Sequence, residues 1–292
     1  MPSSPSWNQY SKDFINILEG FRYQHGIREV FSDWVEVAAC AIHQEPYHLG
    51  LVIRDETFDI VEAQYMEAVK KYNKEELNAF ANLLAITKMA LGEGYGDFLG
   101  RTYMQLEISN DRSGEFFTPY PVSLMMARMT LADVAEQLQK KSFITVSEPA
   151  SGAGGMLIAL AEVLQEKGYQ PSEAMFFEAV DVSKLCADMT YLQTGILGLS
   201  GMVRHGNTLT MESWSHRFTP ICRIFPYRTN RFLDSLYTDP AEIPEPEQPP
   251  VAANDNELEQ ETSTPTPEAT AEAEVLDRLS DLDQSYVQGR LF

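Results

Sequence analysis

Cysteine is scarce: Cys40, Cys186 and Cys222 are the only three in 292 residues. An odd number, with no paired spacing and no neighbouring histidine cluster, argues against a disulfide framework and against a zinc site. Basic residues are also few, 22 Lys/Arg against 43 Asp/Glu for a net charge of −21, so no broad basic face is available to hold a phosphate backbone. No apolar run approaches the ~18 residues of a membrane span. The opening Met-Pro-Ser-Ser-Pro has neither the basic nor the apolar region of a signal peptide. The expectation is a protein of the reducing cytoplasm.

What is present suffices for one or two domains with a core, since 44% of residues are hydrophobic. From Trp7 to about Glu93 apolar residues recur at three and four positions (Tyr10, Phe14, Ile17, Leu18, Phe21; Leu77, Phe80, Leu83, Leu84), the pattern of an all-helical domain over 1–108. Gly92, Gly94, Gly96 and Gly100 break it, and Asn110 to Gly114 reads as a loop. A second rhythm follows over 109–237. Short β-prone runs (Phe143 to Val146, Met175 to Val180) alternate with helical stretches (Val122 to Gln139, Met156 to Lys167, Ser183 to Leu197), which predicts βαβ units and a parallel sheet; Ile221 to Phe225 reads as a further strand. Beyond Leu236 the composition changes. Fourteen acids against Arg278 and Arg290 give −12 from Asp239 onward, seven of sixteen prolines lie between Pro240 and Pro267, and no aromatic occurs from Thr238 to Ser285. Residues 238–284 read as a disordered acidic linker with a weak helix near 272–283, followed by an apolar terminus at 285–292.

The chemical signal is Glu148-Pro149-Ala150-Ser151-Gly152-Ala153-Gly154-Gly155, a small-residue loop between a β-run and a helix. Glycines let a backbone approach a ligand, and the helix start favours negative character. A ligand-free turn is the alternative. Neither the Gly-x-Gly-x-x-Gly pattern nor a Gly-Lys-Ser/Thr is present, which points to another nucleoside-type cofactor. The next strand ends at Asp181, whose carboxylate suits a ribose diol, or else caps the helix near Ser183. Upstream lies Gly114-Glu115-Phe116-Phe117-Thr118-Pro119, before a helix carrying Met125, Met126 and Met129 that also reads as a start with a core-facing stripe.

These motifs, in this order, resemble the DNA adenine N6-methyltransferases, most of all the modification subunits of type I restriction systems; Asp97-Phe98-Leu99-Gly100-Arg101-Thr102-Tyr103 shares the likeness, which covers roughly 75–210. The resemblance implies a helical domain followed by a Rossmann-like α/β sheet that binds S-adenosylmethionine. It assigns the Phe117-Thr118-Pro119 element, with Thr118, to the methionine part of the cofactor. Glu148, Gly152, Gly154 and Gly155 would line the cleft, Asp181 would take the ribose, and Asn207, where the family has Asp after a glycine, would face the adenine.

Methyl transfer to an exocyclic amine needs a flipped base on an aromatic ring and acceptors aimed at its NH₂. The family supplies them in an Asn/Asp/Ser-Pro-Pro-Tyr/Phe tetrapeptide, which this chain lacks. The best-placed remnant is Ile224-Phe225-Pro226-Tyr227, keeping Pro226 and Tyr227 but offering no acceptor; Thr238-Asp239-Pro240-Ala241 lacks the aromatic. An amine buried without partners costs about 1–3 kcal/mol per group, and losing one preorganised partner costs on the order of 10²–10³ in rate. The expectation is a degenerate, truncated methyltransferase, weak or inactive alone, whose open sheet edge pairs with another chain and whose DNA specificity comes from a partner subunit.

The chain ends Gln288-Gly289-Arg290-Leu291-Phe292, which resembles the bacterial sliding-clamp-binding motif: Gln288 to bond at one pocket, Leu291 and Phe292 to fill an apolar one, on a tether that raises effective concentration. Docking on its own domain is the alternative. Three function classes stay open: a methyltransferase active in complex, a clamp-recruited interaction protein, and a DNA mimic. The last is disfavoured by charge that sits in a proline-rich tail.

Overall fold

The computed structural model describes residues 5–106 and 117–230, with side chains from Trp7 onward. The acidic linker, the C-terminal motif and Gly114-Glu115-Phe116 lie outside the described residues.

Five helices come first: α1 (Pro5–Glu19), α2 (Ile27–His48), α3 (Glu56–Val69), α4 (Lys74–Gly92) and α5 (Phe98–Gln105). Their starts are written in the sequence. Asp55 accepts the Phe58 N–H at 3.1 Å to open α3, and Asn73 with Glu76 forms a reciprocal capping box on α4. An aromatic knot fills the space between them: Phe14 packs edge-on against Trp34 and Phe98 at 4.9 and 5.7 Å, and the Trp34 indole N–H donates to the Phe80 carbonyl at 3.1 Å. Each such ring contributes about 1.5–3 kcal/mol by leaving water.

Next come α6 (Tyr120–Thr130), α7 (Val134–Lys140), β1 (Ile144–Glu148), α8 (Gly155–Glu166), α9 (Pro171–Ala174), β2 (Met175–Asp181), α10 (Lys184–Ile196), β3 (Gly201–Asn207), β4 (Glu212–Phe218) and α11 (Pro220–Ile224). The expected α/β architecture is present. The sheet runs β1-β2-β3-β4, the first three strands parallel and β4 antiparallel. The register pairs Glu148 with Ala179 and Asp181 with His205, so the carboxyl ends of β1, β2 and β3 share one edge. Ile144, Phe177 and Val203 point to the face covered by α8 and α10. On the other face Phe143, Phe176 and Cys222 form a small cluster where α11 crosses.

Three expectations are corrected. Residues 221–224 of the expected strand 221–225 lie in α11 instead, because Pro220 presets the first helical φ after Thr219. The stretch 122–139 is two helices, broken after α6 where Leu131 turns out of the helix. The α6 methionines do not face the core: Leu124 and Ala127 do, while Met125, Met126 and Met129 are 46–72% exposed. Among the described residues β1 has no partner on its outer side, and Thr145 and Ser147 there are exposed. No described helix is long and apolar enough to cross a membrane.

Candidate functional site

The loop 149–154 leaves β1 and turns into α8 through two left-handed glycines, Gly152 at φ +56° and Gly154 at φ +89°. A side chain at either would be strained, and a Cβ on Gly152 would also stand 3.0 Å from the Phe117 ring. Asp181 fixes this loop to the next strand. Its Oδ2 accepts the Gly152 N–H at 2.8 Å, and its Oδ1 accepts the Ser183 N–H at 2.8 Å. The helix cap is therefore Ser183, which accepts from the Cys186 N–H, and not Asp181. Each carboxylate oxygen carries two lone pairs, so either can accept more than one hydrogen bond.

Beneath the loop, α10 presents polar groups from a buried face. The Thr190 hydroxyl lies 2.9 Å from the Gly152 carbonyl and 3.0 Å from the Ser151 hydroxyl. Gln193 donates from Nε2 to the Ala153 carbonyl at 2.7 Å and to Asp97 Oδ1 at 2.8 Å, while its Oε1 accepts the Leu99 N–H at 3.0 Å. These residues carry the loop's shape, and their signal in the sequence is a row of polar side chains on a helix otherwise apolar on that side.

Glu148 stands at the tip of β1. Burial pushes its carboxyl above the usual range and Asp181 adds to this, against the Ala150 N–H that bonds it at 3.3 Å. Two carboxylates at neighbouring strand tips repel a polyphosphate and attract hydroxyls or a cation. At the end of β3, Asn207 Oδ1 accepts the Leu209 and Thr210 N–H groups at 2.9 and 3.3 Å, shaping the β3–β4 turn and leaving its NH₂ to donate elsewhere. Thr208 ties that turn to the loop through the Pro149 carbonyl at 2.7 Å. A cleft of about 550 Å³ opens beside the loop, walled by Asp97, Arg101, Met104, Phe117, Thr118 and Tyr120 among others.

This geometry brings together Phe117, Glu148, Gly152, Gly154, Gly155 and Asp181, with Thr118 and Pro119 on the cleft wall and Asn207 at the adjoining strand tip. The model of the N-6 DNA methylases matches residues 87–254. The chain belongs to the N-6 DNA methylase family. Among solved structures it is similar to the methyltransferase subunit of a type I restriction-modification system from Streptococcus thermophilus (14% identity, TM-score 0.39, 72% of this chain and 60% of that one). It is also similar to a candidate class I S-adenosylmethionine-dependent methyltransferase from Listeria monocytogenes (14% identity, TM-score 0.36, 66% and 52%). The chain thus spans less than two thirds of either, and no curated protein matches it.

The structure does not bring Pro226 and Tyr227 to this site. Tyr227 donates to Glu173 at 3.3 Å and Arg228 to the Ser172 carbonyl at 2.7 Å, both just before β2. That is the amino end of the strands, whereas the loop and Asp181 lie at the carboxyl end, about 20 Å away at ~3.3 Å per residue of β2. The physical reason is the β3–β4 hairpin, which returns the chain to the far end of the sheet before α11 begins. No group of three or more potential metal ligands occurs among the described residues.

Proposed function

We propose that the chain binds S-adenosylmethionine at the β1–α8 loop and acts at DNA within an adenine-N6 methylating system, with little or no methyl transfer on its own. One observation carries the cofactor reading: a glycine loop held open by Asp181, with Glu148 alongside, suits a hydroxyl-rich nucleoside that carries positive charge and no phosphate. Bound there, the cofactor would supply an electrophilic methyl group. Asp181 would accept from the ribose hydroxyls, Glu148 and the glycines would border the sugar and sulfonium, and the Asn207 amide would donate toward the adenine. The missing acceptor tetrapeptide, with Tyr227 at the opposite end of the sheet, supports dependence on a partner subunit for both the catalytic acceptors and the DNA contacts. The unpaired side of β1 offers that partner an edge to extend.

Calorimetric titration with S-adenosylmethionine tests the reading, with Asp181→Ala as control and circular dichroism to confirm that the variant folds. Saturable binding that the variant loses supports it; equal binding by both proteins, or none at millimolar ligand, refutes it.

A second reading rests on the terminal Gln288, Leu291 and Phe292: recruitment to a sliding clamp as an interaction protein. Removing 288–292 should abolish co-elution with the clamp and leave cofactor affinity unchanged. Unchanged co-elution would sink it.

A further inference from the structure

The sheet guards one of its edges and leaves the other open. At the β4 edge the register shifts between His205 and Gly206, and Glu212 and His216 stand exposed along the strand. Bulges and edge charges are devices that keep a foreign strand from pairing. At the β1 edge, Ile144-Thr145-Val146-Ser147 has no charge, no proline and no register shift against β2 before Glu148. Its outer N–H and C=O groups meet no strand among the described residues.

The helix layer stops on the same side. α8, which joins β1 to β2, has α10, which joins β2 to β3, on one flank and α6 on the other. α6 holds to α8 through Ser123, Leu124, Ala127 and the Arg128–Glu166 ion pair. On its opposite side Val122, Met125, Met126 and Met129, at i, i+3, i+4 and i+7, form an apolar stripe that is 41–72% exposed. A stripe of this spacing seats another helix, and methionine adapts to the shape it meets. Four such side chains cover roughly half of the ~800 Å² per side of a stable interface, and the edge of a short strand is of the same order, so the two suffice only together. From Phe117 to Ser147, the stretch that holds both elements, Arg128, Lys140 and Lys141 outnumber Asp133 and Glu136, in a chain of net charge −21. An acidic rim on a partner is attracted here, whereas the net charge opposes self-association.

Resting on the partner reading above, we propose that β1 and α6 form one dock for a separate chain that continues both layers: an edge strand paired parallel along β1, and an amphipathic helix with acidic flanks laid on the α6 methionines. The steps from β1 to β2 to β3 run in one direction, so the outer side of β1 is where the strand order would reverse. Open α/β sheets take their ligands at that point, at the carboxyl ends of the strands. A strand docked parallel to β1 ends beside Glu148 and the glycine loop, where groups that this chain lacks can meet a methyl donor.

The test uses two full-chain variants carrying photoreactive benzoylphenylalanine, one in place of Met125 and one in place of Thr145, irradiated in the cells that make the protein, with the linked peptides sequenced by mass spectrometry. Both positions should link to the same foreign chain, Met125 to a peptide with apolar residues at helical spacing and acids beside them, Thr145 to one with the alternation of a strand. Adding Met126→Glu and Met129→Glu to the Thr145 variant should cut its crosslink about tenfold or more, since two charges would be buried against an apolar helix. Circular dichroism should stay unchanged, because both side chains face solvent. A foreign chain linked at Thr145 but not at Met125, or indifferent to the glutamates, overturns the joint dock and keeps the partner reading. Links between copies of this chain assign the face to self-association and overturn the proposal. No foreign chain at either position removes the partner reading as well.

Discussion

Gln193 is the side chain on which the loop and the helical region both depend, and replacing it with leucine measures that dependence. It is fully buried and makes three bonds, to Ala153, Leu99 and Asp97. Leucine has nearly the same length and fills the space, so cavity formation contributes little and the cost is polar. The Leu99 N–H and the Ala153 carbonyl are orphaned, and Asp97 Oδ1 keeps only Gly100. At about 1–3 kcal/mol per buried orphan, with sums that fall short of additivity in one network, the loss should be about 3–5 kcal/mol. Against a typical total of about 5–15 kcal/mol this is a large fraction. Urea unfolding followed by tryptophan fluorescence and far-UV circular dichroism reads it directly, with an unchanged slope as the sign that the folded state kept its compactness. Thr190→Val, which orphans fewer groups, should lose about 1–2 kcal/mol. A loss below about 1 kcal/mol for Gln193→Leu would show that water replaces the three bonds, and would refute the view that α10 fixes the loop.

His43 predicts a pH dependence. Burial, then Arg223 and Arg217, pull it down to about 3 against an opposing pull from Asp55, and its Nδ1 lies 2.9 Å from the Tyr191 hydroxyl. The unfolded chain protonates near 6.5, so below that pH the unfolded state takes up a proton the folded state refuses. Stability should fall by up to about 1.4 kcal/mol per unit as pH drops from about 6.5 toward 3; an identical slope in His43→Gln would assign the effect elsewhere. All three cysteines are buried, and burial pushes the Cys40 thiol up to about 11. Ellman's reagent should label none in native protein and all three in urea, and rapid native labelling would contradict the packing. Peroxide should oxidise Met125, Met126 and Met129 well before the buried Met175 and Met189, as read by mass spectrometry. Slow oxidation of the α6 methionines would mean that something covers that face in solution.

The loop end of the candidate site is legible in the sequence because its signals are local. A glycine loop between a β-run and a helix, and an aspartate at the next strand tip, each announce themselves within a few residues. The order of these motifs carried the family. What was illegible depends on distant pairing. In β4 (Glu-Ser-Trp-Ser-His-Arg-Phe) the residues 212–216 are all exposed, so no apolar alternation marks the strand. With that strand unmarked, nothing local in the sequence signals the chain's return to the far end of the sheet, and spacing alone puts Tyr227 near a site it does not reach. The Thr219-Pro220 pair did signal a helix start, but five apolar-rich residues after it mimicked a strand. Thr190 and Gln193 look like ordinary polar positions on a helix until the fold turns them under the loop.

Helix α10 belongs to two cores at once. Cys186, Met189 and Leu192 pack into the aromatic knot of the first helices, while Ala187 and Tyr191 pack beneath the sheet. A fragment cut to begin at residue 109 would bare the first set to water, lose Asp97 and Leu99, and leave Gln193 bonded on one side only. The helical region is thus part of the instrument that holds the loop in shape. A ligand seated at Gly152 would press, through one rigid helix, on α2 and everything packed around it, so occupancy of the loop should be readable as slowed hydrogen exchange in α2 as well as in the sheet.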